Sequence, residues 1–321
     1  PDSAPDLTVS PRYYDYQGWL TWRGWEDHKL ELFVYGSDDR IALILPDEEP
    51  QGNADVQITG IDFANAFHRG QMRWEWRPDA PIENDFMASF GVNSVGFEAA
   101  ENLFFDADFL QTQIRNDVRI NAGEQFDYRI GADLQFGQTI YAYEIPRVSE
   151  DTDGGEPGDE QPAVSPDGLV GERKSPLMQP AFYTDLTWKP IEQLELTPGL
   201  RMDYYGDVKE TSVSPRFTTR WRALDNVTFK GGVGLFTQPP IPGQTEQDFG
   251  NPNLTFEKAM QYAVGSEWSP LEYLEIDTTL FYRDLWDLVV STDETTTPEG
   301  GEQRPLIYDN DGRGRAYGLE L

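Results

Sequence analysis

Apolar side chains recur at every second position over long runs, and nothing else in this sequence restricts its fold so strongly. Along 193–205 one face carries Leu194, Leu196, Pro198, Leu200, Met202 and Tyr204, and the other Glu195, Thr197, Gly199, Arg201 and Asp203. Along 126–137 Phe126, Tyr128, Ile130, Ala132, Leu134 and Phe136 alternate with Asp127, Arg129, Gly131, Asp133, Gln135 and Gly137. Met72, Trp74 and Trp76 alternate in the same way with Gln71, Arg73, Glu75 and Arg77. A helix repeats every ~3.6 residues and cannot sort side chains into two faces in this way. Thirteen segments read as strands, many of them longer than the ~5–6 residues of an ordinary globular strand. A tilted strand crossing a bilayer needs about 9–11 residues. The pattern therefore predicts an all-β chain, an antiparallel transmembrane β-barrel with one face to lipid and one to a polar lumen. A soluble sandwich, lectin-like or propeller module would also alternate, with shorter strands.

The connections alternate as well. Short ones at 24–27, 78–83, 121–124, 190–193, 223–226 and 270–273 take turns with longer or variable ones at 36–59, 98–102, 147–177, 207–211, 238–257 and 292–304. An up-and-down barrel has this parity, with tight periplasmic turns and longer external loops. Aromatic residues gather where strands would cross the two interfaces: Tyr13, Tyr14, Tyr16, Trp19, Trp22, Trp25, Trp74, Trp76, Trp188, Trp221 and Trp268. Several adjoin a short turn, as an interfacial girdle would.

Composition removes several classes of function. The chain has no Cys, which excludes a disulfide framework, a thiol nucleophile and a zinc ribbon. Its net charge of −32 argues against nucleic acid, which is held by clustered Lys and Arg. No apolar run is long enough for a membrane-crossing helix, and Pro1–Tyr16 shows neither a basic segment nor an apolar segment of an export signal. The only histidines, His28 and His68, stand far apart, and HExxH, GxSxG and phosphate-loop motifs are missing. They read as surface or lumen residues, with no metal site and no cofactor expected. Carboxylates such as Glu275 and Asp277 are too numerous for any pair to mark acid–base chemistry, so no enzyme is predicted. Residues 149–168 are acidic and rich in Gly and Pro, but lack the ligand spacing of a calcium loop. They read as part of a solvated external loop over 147–177, with weak divalent binding as the alternative.

Three stretches carry a family likeness. Ser212–Trp221 is led by Ser214, Pro215 and Arg216; Asn251–Trp268 opens with Asn251, Pro252, Leu254 and Glu257; Tyr308–Leu321 holds Tyr308, Asn310, Gly312, Gly314, Gly318 and Glu320. In order and spacing they resemble the barrel of the TonB-dependent outer-membrane receptors, as do the turn and strand at 188–205. The likeness covers most of Pro180–Leu321; Pro1–Glu144 fits by strand pattern alone. On this resemblance the whole of 1–321 is a partial barrel domain, about 13 strands of a 22-stranded barrel in the cell outer membrane. The resemblance implies a lipid environment, a small-molecule ligand such as an iron–siderophore complex, vitamin or oligosaccharide, and energy from the TonB complex acting through a plug domain. Neither plug nor TonB box is visible, Leu321 is not a terminal aromatic, and the strand count is odd, so the chain is expected to be a fragment. A passive porin or adhesin barrel shares the fold.

The motif residues are expected to be structural. Asn251 and Pro252 would shape a turn, Gly312 and Gly314 a tight turn or bulge, and Gly318 a close approach of backbones. Glu257 and Glu320 are placed in the lumen or at the rim. Tyr308 to Arg315 reads as the exit of an external loop, with a strand beginning near Ala316. In the loop 235–253, Phe236, Gln238, Gln244 and Gln247 are the candidate ligand contacts, by stacking and hydrogen bonding. The alternative is that Pro239, Pro240 and Pro242 simply stiffen that loop.

Overall fold

The computed structural model describes residues 8–44, 60–100, 103–149, 163–241, 244–245, 250–292, 295–296, 304–305 and 308–321. In chain order the strands begin with β1 (Thr8–Trp22), β2 (His28–Ile44), β3 (Gly60–Trp76), β4 (Ile82–Ala100) and β5 (Leu103–Asn121). Then come β6 (Phe126–Ser149), β7 (Ala163–Ile191), β8 (Leu194–Tyr205), β9 (Glu210–Leu224) and β10 (Val227–Gln238). The last are β11 (Glu257–Leu271), β12 (Leu274–Ser291), the two-residue β13 (Thr295–Thr296) and β14 (Arg304–Pro305), and β15 (Tyr308–Glu320). A single 13-stranded antiparallel sheet runs β1 to β12 in sequence order and ends on β15, while β13 and β14 form a separate ribbon. Among the described residues this sheet has the thirteen strands read from the sequence.

Register decides which residues share a face, and a one-residue slip would turn every side chain over. Leu196 stands opposite both Trp188 and Thr219, and Ile130 opposite both Val118 and Thr184, so the apolar alternation continues from strand to strand. Phe182, Ile130, Met202, Val264 and Leu280 on this face are all exposed. A sandwich or propeller would cover them with a second layer; among the described residues no second layer exists. The buried apolar cluster is correspondingly small, Ala107, Tyr141 and Tyr143 with Phe105 and Phe109 packed on it. An apolar face of this extent on one sheet fits lipid.

The outward face is banded. Next to the short turns it carries Trp22, Trp76, Trp188, Trp221 and Trp268; further along come aliphatic and Phe residues, then Tyr16, Tyr204, Tyr262, Tyr282 and Tyr317. Beyond that row it turns polar on the first strands: Arg12 faces Asp38, Arg40 faces Asp62, and Ser94 Oγ donates to Asp108 Oδ1 at 2.6 Å. The 12-residue β8 and β10 end with the band. At ~3.3 Å per residue and about 45° tilt they rise ~28 Å, close to a bilayer's hydrocarbon thickness. β2 to β7, at 17 to 29 residues, continue past it.

Three boundaries differ from the sequence reading. β2 runs on to Ile44, paired residue by residue with β1 and β3, so 36–44 are strand where a loop over 36–59 was expected. β6 and β7 pair as far as Ser149 opposite Ala163, so 147–149 and 163–177 are strand where a loop over 147–177 was expected, and 150–162 lie outside the described residues. The polar stretch was mistaken for loop because strands beyond the lipid need no apolar face. Likewise Tyr308 to Arg315 is strand from its first residue, not a loop exit. Pairing shifts by one residue between Val290–Asp309 and Leu288–Gly312, and shifts back at Leu285–Gly314. Two compensating irregularities restore the parity, which is why the segment lacks the two-residue period.

Candidate functional site

The inward face is polar, and side chains of six successive strands line one depression of about 1060 Å³, from Glu83 on β4 to Thr218 on β9. A single cavity across six strands requires that this face be the concave one. The turn Pro78–Pro81 folds over its edge.

Tyr183 is the hub of this wall. It stands opposite Gly131, where a Cβ would come within 2.2 Å of Tyr183 Cζ, so the ring can lie flat only across a glycine. Its hydroxyl donates to Asp117 Oδ1 at 2.7 Å. Arg115 and Arg129 donate from Nε to the same carboxylate at 2.9 and 2.8 Å. With Arg201 these guanidiniums lie 5.3 to 5.4 Å from the ring centroid, in cation–π range. Arg201 donates to Asp203 at 2.9 Å, and Gln113 donates to Asp133 at 2.8 Å. Three positive and three negative groups thus interlock over β5 to β8, each charge beside its opposite. The signal was present in the sequence as Arg and Asp two residues apart, at 115 and 117 and at 201 and 203, a spacing that puts both on one strand face. The sequence reading missed it because the third and fourth partners are supplied by register.

The motif residues join this wall. Ser214 is buried on the inward face, and Ser212, within 3.4 Å of it, bonds Thr237 at 2.7 Å. Pro215 faces outward opposite Leu200. Arg216 grips Asp185 through Nη2 at 2.9 and 3.1 Å, reaching over Gly199, where a Cβ would meet Asp185 Oδ1 at 2.2 Å. On β15, Gly318 makes room for the Phe281 ring, and Glu320 faces inward opposite Thr279, well along the wall and away from the rim.

At the far rim the remaining motif residues meet one another. Asn251 Nδ2 donates to the carbonyl of Tyr308 at 2.8 Å, while its Oδ1 accepts the Asn253 N–H at 3.0 Å. Asn310 Oδ1 accepts the Thr255 N–H at 2.8 Å, and its Nδ2 donates to the carbonyl of Asp287 at 2.8 Å. Asp287 has a left-handed backbone (φ 55) at the β12 irregularity, and its carboxylate takes Lys258 Nζ at 2.7 Å. Glu257 Oε1 accepts the Val289 N–H at 2.8 Å, a donor that the irregularity withdraws from the ladder. Gly312 lies opposite Leu288, where a Cβ would be 2.7 Å from that carbonyl oxygen. Gly314 marks the return to register opposite Leu285. Leu254 is buried, and Pro252 follows Asn251 in the same turn.

The four candidate ligand contacts separate. Phe236 and Gln238 are exposed on the inward side of β10, and Phe236 lines a cavity of about 280 Å³ with Arg201, Tyr205, Ser214 and Arg216. Gln244 is occupied in its own turn: Oε1 accepts the Ile241 N–H at 3.0 Å and its carbonyl accepts the Asn251 N–H at 2.7 Å. Gln247 lies outside the described residues. Both histidines sit on the outward face, His68 against the Tyr16 hydroxyl at 3.0 Å and His28 among tryptophans. Among the described residues no three metal-ligating side chains converge. In the turn between β8 and β9, burial pushes the Asp207 carboxyl above its ordinary range, and Lys209 is left-handed (φ 56).

Comparison with known proteins bears on this arrangement. Residues 3–321 match the family described as TonB dependent receptor-like, beta-barrel. Among solved structures, a mutant of the ferric enterobactin receptor PfeA from Pseudomonas aeruginosa is 16% identical with a TM-score of 0.69, covering 97% of this chain and 48% of that one. The outer membrane transporter YddB from Escherichia coli is 11% identical with a TM-score of 0.74, covering 97% and 45%. The siderophore receptor PirA from Acinetobacter baumannii is 13% identical with a TM-score of 0.66, covering 97% and 50%. The chain thus spans about half the length of these structures, and at such identity the likeness is one of fold. No curated protein matches it in sequence.

Proposed function

The chain belongs to the TonB-dependent receptor-like β-barrel family, and from that premise we propose that it walls a receptor importing a scarce ligand with energy relayed by TonB. Its place is the outer membrane, and its family is one of receptors and transporters. The observation that carries the reading is the single sheet with an apolar band outside and a charged concave wall inside, which only a membrane barrel requires. The relatives in fold named as ferric enterobactin and siderophore receptors make an iron–siderophore complex the ligand class of choice. Phe236 and Gln238 are its contacts in this reading, Phe236 lining the small cavity with Arg201 and Arg216 and Gln238 at the end of the same strand. Gln244 takes part by shaping the turn, and Gln247 is proposed as a further contact. TonB acts through a plug domain, and outer-membrane lipid surrounds the band.

The test is uptake of radio-iron as a ferric siderophore by iron-starved cells expressing the gene that carries this chain, with and without functional TonB. Accumulation that requires TonB is expected. Uptake that persists without TonB would establish a passive pore instead, and recovery of the protein in the soluble fraction would remove the barrel reading.

A further inference from the structure

The inward face changes its chemistry from row to row. Gln71, Ser89, Gln113, Gln135 and Gln179 stand directly opposite one another, an amide row that crosses β3 to β7. Below it, towards the short turns, lies the ionic network around Tyr183. Above it the face is aromatic. Phe67 and Phe109 flank Asn93 in one row, and Phe63, Phe97 and Phe105 share another further out. Phe63 is exposed on this side, its ring 5.1 Å from that of Phe97.

Arg69 stands between the amide row and the aromatic rows. Tyr35 is opposite it on β2 and Gly91 on β4, with Gln111 the next residue across. A Cβ at the buried Gly91 would lie 2.8 Å from Arg69 Nε, so the side chain lies across that strand. Arg69 is half-buried, yet among the described residues its guanidinium has no ion pair, hydrogen bond or ring contact. Every other described Arg or Lys that is half-buried has a partner. Taking a guanidinium partly out of water without an anion is costly, and the chain has 57 acidic residues from which one could have been placed beside it. Depth decides from which side an anion arrives. Arg69 adjoins His68, which stacks on Tyr16 of the outward Tyr row, so it lies where the apolar band ends and the long extensions begin. A ligand entering from outside meets the aromatic rows first and this guanidinium next.

We propose that Arg69 is the anion contact of a ligand subsite, and that the ferric complex it selects is anionic and built on aryl rings. A ferric catecholate meets that description, and an uncharged ferric hydroxamate does not. Tyr35 and Phe67 offer faces to the aryl rings, and Gln71 and Gln111 hydrogen-bond the groups between them. The planar fork of a guanidinium matches paired anionic oxygens. The proposal rests on the siderophore reading above, and adds to it a selection by charge and a contact on β3, away from Phe236 on β10.

The experiment measures binding of a ferric tris-catecholate and a ferric tris-hydroxamate to the purified full-length protein carrying this chain, by quenching of tryptophan fluorescence in detergent. The catecholate is expected to bind more tightly, and added salt to weaken it alone. Arg69→Gln is expected to weaken the catecholate by roughly ten- to a hundred-fold, as loss of a charged hydrogen bond would, and to leave the hydroxamate unchanged. Arg69→Lys recovers part of the loss. Arg315→Gln, at an exposed residue opposite Asp284 on the outward face, changes neither. Heat-modifiable migration on a gel reports that each variant is folded. Equal loss for both complexes, no loss, or a tighter hold on the hydroxamate overturns the subsite and leaves the receptor reading standing. Salt-insensitive catecholate binding by the unaltered protein overturns it without any variant. Unfolding of both Arg69 variants assigns the guanidinium to the fold and overturns it as well. Binding of neither complex by the folded, unaltered protein overturns the siderophore reading and the subsite with it.

Discussion

The inward wall of β5 to β8 and the far rim where β10, β11, β12 and β15 meet are both built from polar side chains, yet they are held differently. In the wall, side chains bond to side chains across strands whose ladders are already complete: Tyr183, Arg115 and Arg129 converge on Asp117. At the rim, side chains bond to backbone groups that the ladder has abandoned: Asn310 serves Thr255 and Asp287, and Glu257 serves Val289. A wall contact has substitutes, since a guanidinium that loses one carboxylate has others in reach and water beside it. A rim contact has none, because a half-buried backbone N–H or C=O that the ladder has left unpaired bears a desolvation cost when its one side-chain partner is removed.

The largest effect is expected where the wall depends on shape instead of charge. Gly131→Val would place side-chain atoms inside the Tyr183 ring, and the loss of stability is expected to be about 3 kcal/mol, from overpacking and a displaced hub. Reversible urea unfolding in micelles measures it, and a loss below half that value would show that the hub is dispensable. Next comes Asn310→Ala, which leaves the Thr255 N–H and the Asp287 carbonyl unserved and is expected to cost ~2 kcal/mol. Hydrogen exchange should then rise at 255–258 and 286–290 while 115–131 stays protected; a uniform rise would erase the distinction between the regions.

Smaller effects test the redundancy of the wall. Tyr183→Phe removes one of three donors to Asp117 and keeps the ring, so about 1 kcal/mol is expected, half or less of the rim substitution. If it costs more than Asn310→Ala, the comparison is reversed. The smallest effect lies in the turn between β8 and β9. Because the folded state raises the Asp207 carboxyl, the native chain holds that proton more tightly than the unfolded chain does. Stability then falls as pH rises from the ordinary carboxylate range through the raised value, and levels off above it. Asp207→Asn is expected to flatten that step, read as the midpoint of heat-induced loss of the fast-migrating form at several pH values. An unchanged slope would show that Asp207 is not the group responsible.

The sequence was most legible where lipid imposes a rule. Leu194 to Tyr204 and Phe126 to Phe136 show their faces without any structure, because each outward position had to be apolar. The same rule lapses above the band, which is why the ends of β6 and β7 resembled a loop and why Tyr308 to Arg315 resembled a loop exit. Motif residues were recognisable as a set from 180 onward, but their work was not: Asn251 and Asn310 are 59 positions apart in sequence and serve one knot. Gln244 looked like a ligand contact because an exposed amide in a loop and an amide that closes a turn have the same spelling.

What the amino-acid order determined alone was the period, the strand count, the sides of the sheet and the family. The tertiary structure decided which carboxylate meets which guanidinium, which glycine accepts which ring, and where the register slips and recovers at Leu288. The physical reason is that period is a property of one strand, settled by the solvent on each side. Partnership is a property of two strands, settled by turn length and bulges, and a shift of one residue exchanges every partner at once.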